Sequence, residues 1–143
     1  MNNSIWDTLS SKAPFPSERM KEIEYNDNQS AISHMADLLP HIDRLFDYHH
    51  WNTELRFLDV GCRSGSGTAL VADLHQGKNS WIRFAATGIE VDSYWEEYTK
   101  FRFPNVRYIS GDVFLHEERY DPITCNHVIE HFDNPVIIVE KMK

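Results

Sequence analysis

The chain has 143 residues, 41% of them hydrophobic and 25% charged, with a formal net charge of −8. That length supports one domain with a single core, small for a complete α/β enzyme, and the acid excess argues against a nucleic-acid partner, whose phosphates need clustered lysine and arginine. Two cysteines, Cys62 and Cys125, argue against a disulfide framework and fit a reducing, cytoplasmic setting, and with no apolar run near the roughly 20 residues that cross a bilayer, no membrane partner is expected.

Residues 1–28 are polar and contain Pro14 and Pro16, which predicts an arm with little secondary structure of its own and no signal-peptide pattern. Trp6 and Phe15 are its candidate docking side chains. The domain proper is expected over 29–143. From Gln29 to His50, Ile32, Met35, Ala36, Leu39, Ile42, Leu45 and Phe46 recur at helical spacing, with Pro40 as a kink or break. Such a helix covers a sheet face or acts as a lid; His41, His49 and His50 read as solvated.

Arg56, Phe57, Leu58 and Val60 form a short apolar run that holds one acid, Asp59, and leads into Gly61-Cys62-Arg63-Ser64-Gly65-Ser66-Gly67. Thr68 to Leu74 then has helical composition. Strand, glycine turn and helix in that order make a nucleotide-binding loop. Glycine tolerates positive φ and leaves room for a ligand against the main chain. The first amides of the following helix have no partner inside it and favour a carboxylate or phosphate. A dinucleotide fingerprint would need glycine where Arg63 stands, so a nicotinamide-dependent oxidoreductase is disfavoured.

A second strand is expected over 82–90, ending in Glu90 and followed by Val91 and Asp92. Parallel strands of this kind present their carboxyl ends to the ligand crevice, which makes Glu90 the candidate for ribose hydroxyls. Asp92 is a candidate helix N-cap. The third strand, Val106 to Ile109, runs into Ser110-Gly111-Asp112-Val113. A fourth follows Tyr120-Asp121-Pro122, where proline at the first position is tolerated, and it brings Asn126 and His127 to its carboxyl end. His127, Glu130 and His131 would share one face were that turn helical, a donor set suited to divalent ions. Nothing else nearby completes such a site, and no metal is assigned. Alternating strands and helices predict a parallel α/β sheet covered on both faces.

The pattern Asp59-x-Gly61-x-x-x-Gly65-x-Gly67, the strand-end acids Glu90 and Asp112, and the Tyr120–Phe132 segment together resemble the motif series of class I S-adenosylmethionine-dependent methyltransferases. The resemblance covers about Leu55 to Met142. It implies a Rossmann-like sheet of order 3-2-1-4 and S-adenosylmethionine as cofactor. Asp59 would lie near the methionine ammonium, with Gly61, Cys62, Gly65 and Gly67 beneath it. Glu90 and Val91 would meet the ribose, Asp112 and the Val113 amide the adenine, and Asn126 would sit below the sulfonium. His127 is the candidate general base, since imidazole has an ordinary pKa of about 6.5. Arg63 departs from the family, which often has glycine there.

The family's sheet has seven strands, so three are missing after the fourth and its edge is left open. A homodimer or a further C-terminal segment is expected to complete it. The function implied is methyl transfer to a small-molecule or protein acceptor. One alternative is a cofactor-binding module without turnover. Another is a metal-assisted RNA 2′-O-methyltransferase, because His-x-x-Glu-His is similar to that family's Glu-x-x-Glu-His.

Overall fold

A computed structural model describes residues 13–47, 54–76 and 83–143. In chain order these form α1 (Ser17–Glu22), a π-helical turn (Ile23–Asp27), α2 (Asn28–Asp47), β1 (Glu54–Val60), α3 (Ser66–Gln76), β2 (Arg83–Glu90), α4 (Glu96–Arg102), β3 (Val106–Ser110), β4 (Ile123–Cys125) and α5 (Pro135–Met142). The four strands make one parallel sheet in the order β3-β2-β1-β4, the order implied by the resemblance. β1 pairs along its length with β2, Leu58 opposite Thr87 and Asp59 opposite Gly88. β4 is short and meets only Leu58 to Val60. Pro122, at its start, contributes its carbonyl, which accepts from the Leu58 amide.

Successive side chains of a strand point to opposite faces, and the core divides accordingly. Leu55 and Phe57 of β1, with Phe84 and Ala86 of β2, pack against Met35 and Ile42 of α2 and Val71 and Ala72 of α3. Leu58, Val60 and Ile89 point the other way, toward Val113, Tyr120, Val128 and Met142. A third cluster joins Met20 and Ile23 to Cys62, Trp95, Tyr98 and Tyr108. By this alternation Asp59 shares the face of Leu55 and Phe57 and points at α3. Among the described residues no helix is long and apolar enough to cross a membrane.

One expectation about the N-terminal part needs correction. The segment read as an arm with little structure is helical from Ser17 onward and continues through the π-helical turn into α2. Its anchors, Met20 and Ile23, are buried against the aromatic side chains of α4 and β3, a tertiary gain that a propensity reading does not see. Phe15 does dock it, its ring 5.1 Å from that of Tyr94; Trp6 lies outside the described residues, as do His49 and His50. Of the two outcomes expected at Pro40, a break does not occur, because α2 runs through it as one element. Interior proline costs about 3 kcal/mol, which burial of Met35 and Ile42 on one stripe of the helix offsets.

Candidate functional site

The carboxyl ends of β1, β2 and β4 open into a cavity of about 640 Å³ that α2 roofs. β1 and its loop contribute Asp59, Gly61, Cys62 and Arg63, the start of α3 contributes Gly67, and the end of β2 contributes Glu90 and the adjoining Val91. The segment after β4 adds Asn126, His127, Val128, Glu130, His131 and Phe132, and α2 closes it with Ser30, Ala31, His34 and Met35. Eight of the residues singled out from the sequence thus meet here: Asp59, Gly61, Cys62, Gly67, Glu90, Val91, Asn126 and His127. Gly65, Asp112 and Val113 do not line this cavity. Val113 lines a separate one of about 290 Å³ beside Tyr120 and Met142.

Asp59 is the most constrained group of the site. It is 5% exposed, and its two oxygens accept from the hydroxyls of Thr68 at 2.7 Å and Thr124 at 2.9 Å. Burial disfavours its charged form and pushes its pKa up to about 6, against the pull of those two hydrogen bonds. Cys62 is buried beside it, and burial together with the Asp59 and Glu90 charges raises its thiol well above the ordinary range, so it is an inert packing group here.

The glycines act differently from the expectation that each leaves space for a ligand. Gly61 and Gly65 have φ of +75° and +77°, but a Cβ on Gly61 would lie 2.1 Å from Val128 Cγ2 and one on Gly65 2.7 Å from Thr99 Cγ2. On Gly67 it would press on the Ala31 carbonyl and Met35 of α2. The loop is therefore a packing knot that lets α2, α4 and the post-β4 segment approach the strand end. Its amides are engaged too: those of Gly61 and Cys62 donate to the Ile89 carbonyl, and that of Gly65 to the Cys62 carbonyl. Arg63, where the family often has glycine, sits at φ +48°, which explains the family's preference and makes this arginine a strained substitute.

Glu90 ties the loop to β2. One carboxylate oxygen accepts from the Arg63 amide at 3.2 Å and the other from its neighbour Val91 at 2.9 Å. Asp112 follows β3 by two residues, but its carboxylate is exposed and accepts from the Phe114 amide at 2.9 Å, capping a three-ten turn. Asp92 caps the turn after β2 in the same way, through the Tyr94 amide, as expected of it.

The residues that seat α2 were missed in the sequence. In the π-helical turn the Asn28 amide reaches back five residues to the Ile23 carbonyl, and this widening lets Glu24, Asp27 and Asn28 all contact the body. Asn28, 3% exposed, accepts from the Ser64 hydroxyl and donates to the Tyr98 hydroxyl, both at 2.7 Å. Tyr98 donates on to Glu24, which also takes Arg102, while Asp27 pairs with the Arg63 guanidinium at 3.1 Å. No motif signals such a chain. His34 was legible in principle, because Ala31, His34 and Met35 follow helical spacing on the face that meets the cavity.

His127, Glu130 and His131 all line the cavity, but the premise of one helical face does not hold. His127 precedes the three-ten turn Ile129–His131 and has φ +53°. Its Nδ1 lies 3.4 Å from a Glu130 carboxylate oxygen, and its ring is 4.1 Å from that of His34. Among the described residues no group of three or more histidine, cysteine, aspartate or glutamate side chains is arranged to hold a metal ion.

Comparison with known proteins agrees with the fold. No curated protein sequence matches the chain. Among solved structures, the plantazolicin methyltransferase BpumL in complex with a triazolic desmethylPZN analog and SAH is similar at 16% identity and a TM-score of 0.63, the match covering 96% of this chain and 52% of that one. CalS10, an amino pentose methyltransferase from Micromonospora echinaspora solved with SAM bound, is similar at 21% identity and a TM-score of 0.56, covering 86% and 47%. The chain thus spans about half the length of these proteins. The methyltransferase domain family model matches residues 29–143, and the chain belongs to that family.

Proposed function

We propose that the cavity under α2 holds S-adenosylmethionine and that the chain takes part in transferring its methyl group to a small-molecule acceptor. The observation that carries this reading is the meeting of Asp59, Gly61, Glu90 and Asn126, from three strand ends, around one cavity of about 640 Å³, in a chain of the methyltransferase domain family. The residues fit the cofactor. Each oxygen of Asp59 and Glu90 accepts one hydrogen bond within the chain and keeps a second lone pair for a ligand. Asp59 would face the methionine ammonium and Glu90 the ribose hydroxyls, while Asn126 lines the path to the methyl. Bound there, the cofactor supplies an electrophilic methyl on a sulfonium.

The chain's own work is to hold and align, and alignment of two reactants accounts for much of the acceleration in such a displacement. His127 is the group that would take a proton from the acceptor. Among the described residues the cavity wall carries Asp59, Glu90 and Glu130 and no lysine or arginine besides Arg63, which disfavours a phosphate-rich acceptor. The neighbours of similar fold are a plantazolicin methyltransferase and an amino pentose methyltransferase, and neither acceptor class is a nucleic acid.

Two measurements test the proposal. Titration with S-adenosylhomocysteine should show saturable binding, and radiolabelled methyl from S-adenosylmethionine should appear in a small-molecule extract incubated with the chain. Binding without any transfer would favour a module that holds the cofactor without turnover; absence of binding would remove the reading altogether.

A further inference from the structure

We propose that Glu130 and His34 are positioning residues that hold the His127 ring with its proton on Nδ1 and its Nε2 lone pair turned to the cavity. The proposal deepens the methyl-transfer reading and rests on it for its chemistry, but its geometry stands alone. Three observations converge on one ring. His127 is a non-glycine residue at φ +53°, a conformation that side chains adopt at a cost and that persists where the surroundings enforce it. Glu130 Oε1 lies 3.4 Å from its Nδ1, an ion-pair separation at which a carboxylate favours the proton on the near nitrogen and leaves the other as acceptor. His34, reaching from α2 across 93 positions of sequence, lays its ring 4.1 Å from that of His127 at 38°, which fixes the plane of the imidazole.

The arrangement couples the base to the roof of the site. His34 stands on α2 one turn beyond Ser30 and Ala31, residues that also line the cavity, so the ring is held when the helix is seated by the Asn28 hydrogen bonds to Ser64 and Tyr98. An acceptor served by such a base carries an O–H or N–H proton. In the step, a lone pair of the acceptor atom forms the new bond to the methyl carbon, the carbon–sulfur bond breaks with its pair left on sulfur, and the acceptor's proton passes to Nε2 of His127. The products are the methylated acceptor, the neutral thioether and an imidazolium, so charge and atoms balance. Glu130, facing Nδ1, stabilises that imidazolium.

The test reads the tautomer directly by long-range proton–nitrogen correlation of the imidazoles in the full chain, at about pH 9 so that ordinary imidazoles with pKa near 6.5 are neutral. It is run with and without S-adenosylhomocysteine. The expected result is a dominant Nδ1–H tautomer for His127 in the wild type, loss of that dominance in Glu130→Ala, and a shifted His127 ring in His34→Ala that His34→Phe restores. Glu130 and His127 are exposed, so Glu130→Ala should fold, and its amide spectrum away from the site checks that. A dominant Nε2–H tautomer in the wild type, or a tautomer indifferent to Glu130→Ala, overturns the proposal. Failure of S-adenosylhomocysteine to bind while the tautomer persists would count against the cofactor reading and leave the positioned ring standing.

Discussion

The Thr68 hydroxyl donates to Asp59 at 2.7 Å from the first turn of α3, so the helix that follows the glycine loop holds the acid that precedes it. Thr124 on β4 holds the other oxygen at 2.9 Å. Replacing Thr68 with valine keeps the shape and removes the donor, leaving a buried carboxylate one partner short. A hydrogen bond to a charged group contributes roughly 1.5–3 kcal/mol. Thr68→Val should therefore lower stability by about that much in urea unfolding, and weaken S-adenosylhomocysteine binding about tenfold or more.

Asp59 also writes a pH signature. Its pKa is about 6 in the folded chain against a reference of 3.8, so between these values the folded state binds the extra proton. A raised acid stabilises fully below the unfolded value, and that contribution is lost as pH rises through the folded one. Glu24 and Glu118, whose pKa values are lowered, act oppositely in the acid range, so the comparison must be with a variant. The stability of wild type minus that of Asp59→Asn should fall by on the order of 2 kcal/mol from pH 4 to 6.5 and then level. A flat difference across that window would mean that Asp59 is not held in a protonated form by burial.

Arg63 separates strain from ion pairing. Arg63→Ala and Arg63→Gly both lose the exposed pair with Asp27, a contribution of up to about 1 kcal/mol. Only glycine relieves the positive φ at this position, which is worth roughly 1 kcal/mol. Thermal unfolding should rank the glycine variant above the alanine variant by about that amount, and equal stability would show the backbone to be unstrained.

Asn28 seats α2. Asn28→Ala takes away both the acceptor of the Ser64 hydroxyl and a donor to Tyr98, at a site 3% exposed. A cost of about 2–3 kcal/mol is expected, together with faster hydrogen exchange along α2, the element that roofs the cavity. Exchange raised uniformly through the chain, instead of in α2, would contradict a local anchoring role.

These residues also mark how far the sequence could be read. The ends of β1 and β2 at Val60 and Glu90 follow from apolar runs bounded by glycine and acid, and the parallel sheet from alternating strands and helices, since these are local patterns; the order β3-β2-β1-β4 came from the family resemblance. The cavity residues Asp59, Glu90, Asn126 and His127 were legible for the same reason. What was not legible depends on long-range packing. The helix at Ser17 forms because Met20 and Ile23 find aromatic partners from α4 and β3, the strand glycine Gly88 is required because a Cβ there would lie 2.5 Å from Cys62 Sγ, and Asn28 acquires its role through a π-helical turn. The glycines of the loop were identified correctly as special, but a motif cannot say whether the space beside a glycine holds a ligand or a neighbouring side chain. Val128 and Thr99 fill it here.

The most direct test of the account is a crystal structure of the chain with S-adenosylhomocysteine. The account predicts the ligand in the cavity beneath α2, its amino group beside Asp59, its ribose hydroxyls within hydrogen-bond reach of Glu90 and its sulfur on the side of His127. A ligand bound elsewhere, such as beside Tyr120 and Met142, or a cavity left empty at saturating ligand, would contradict it.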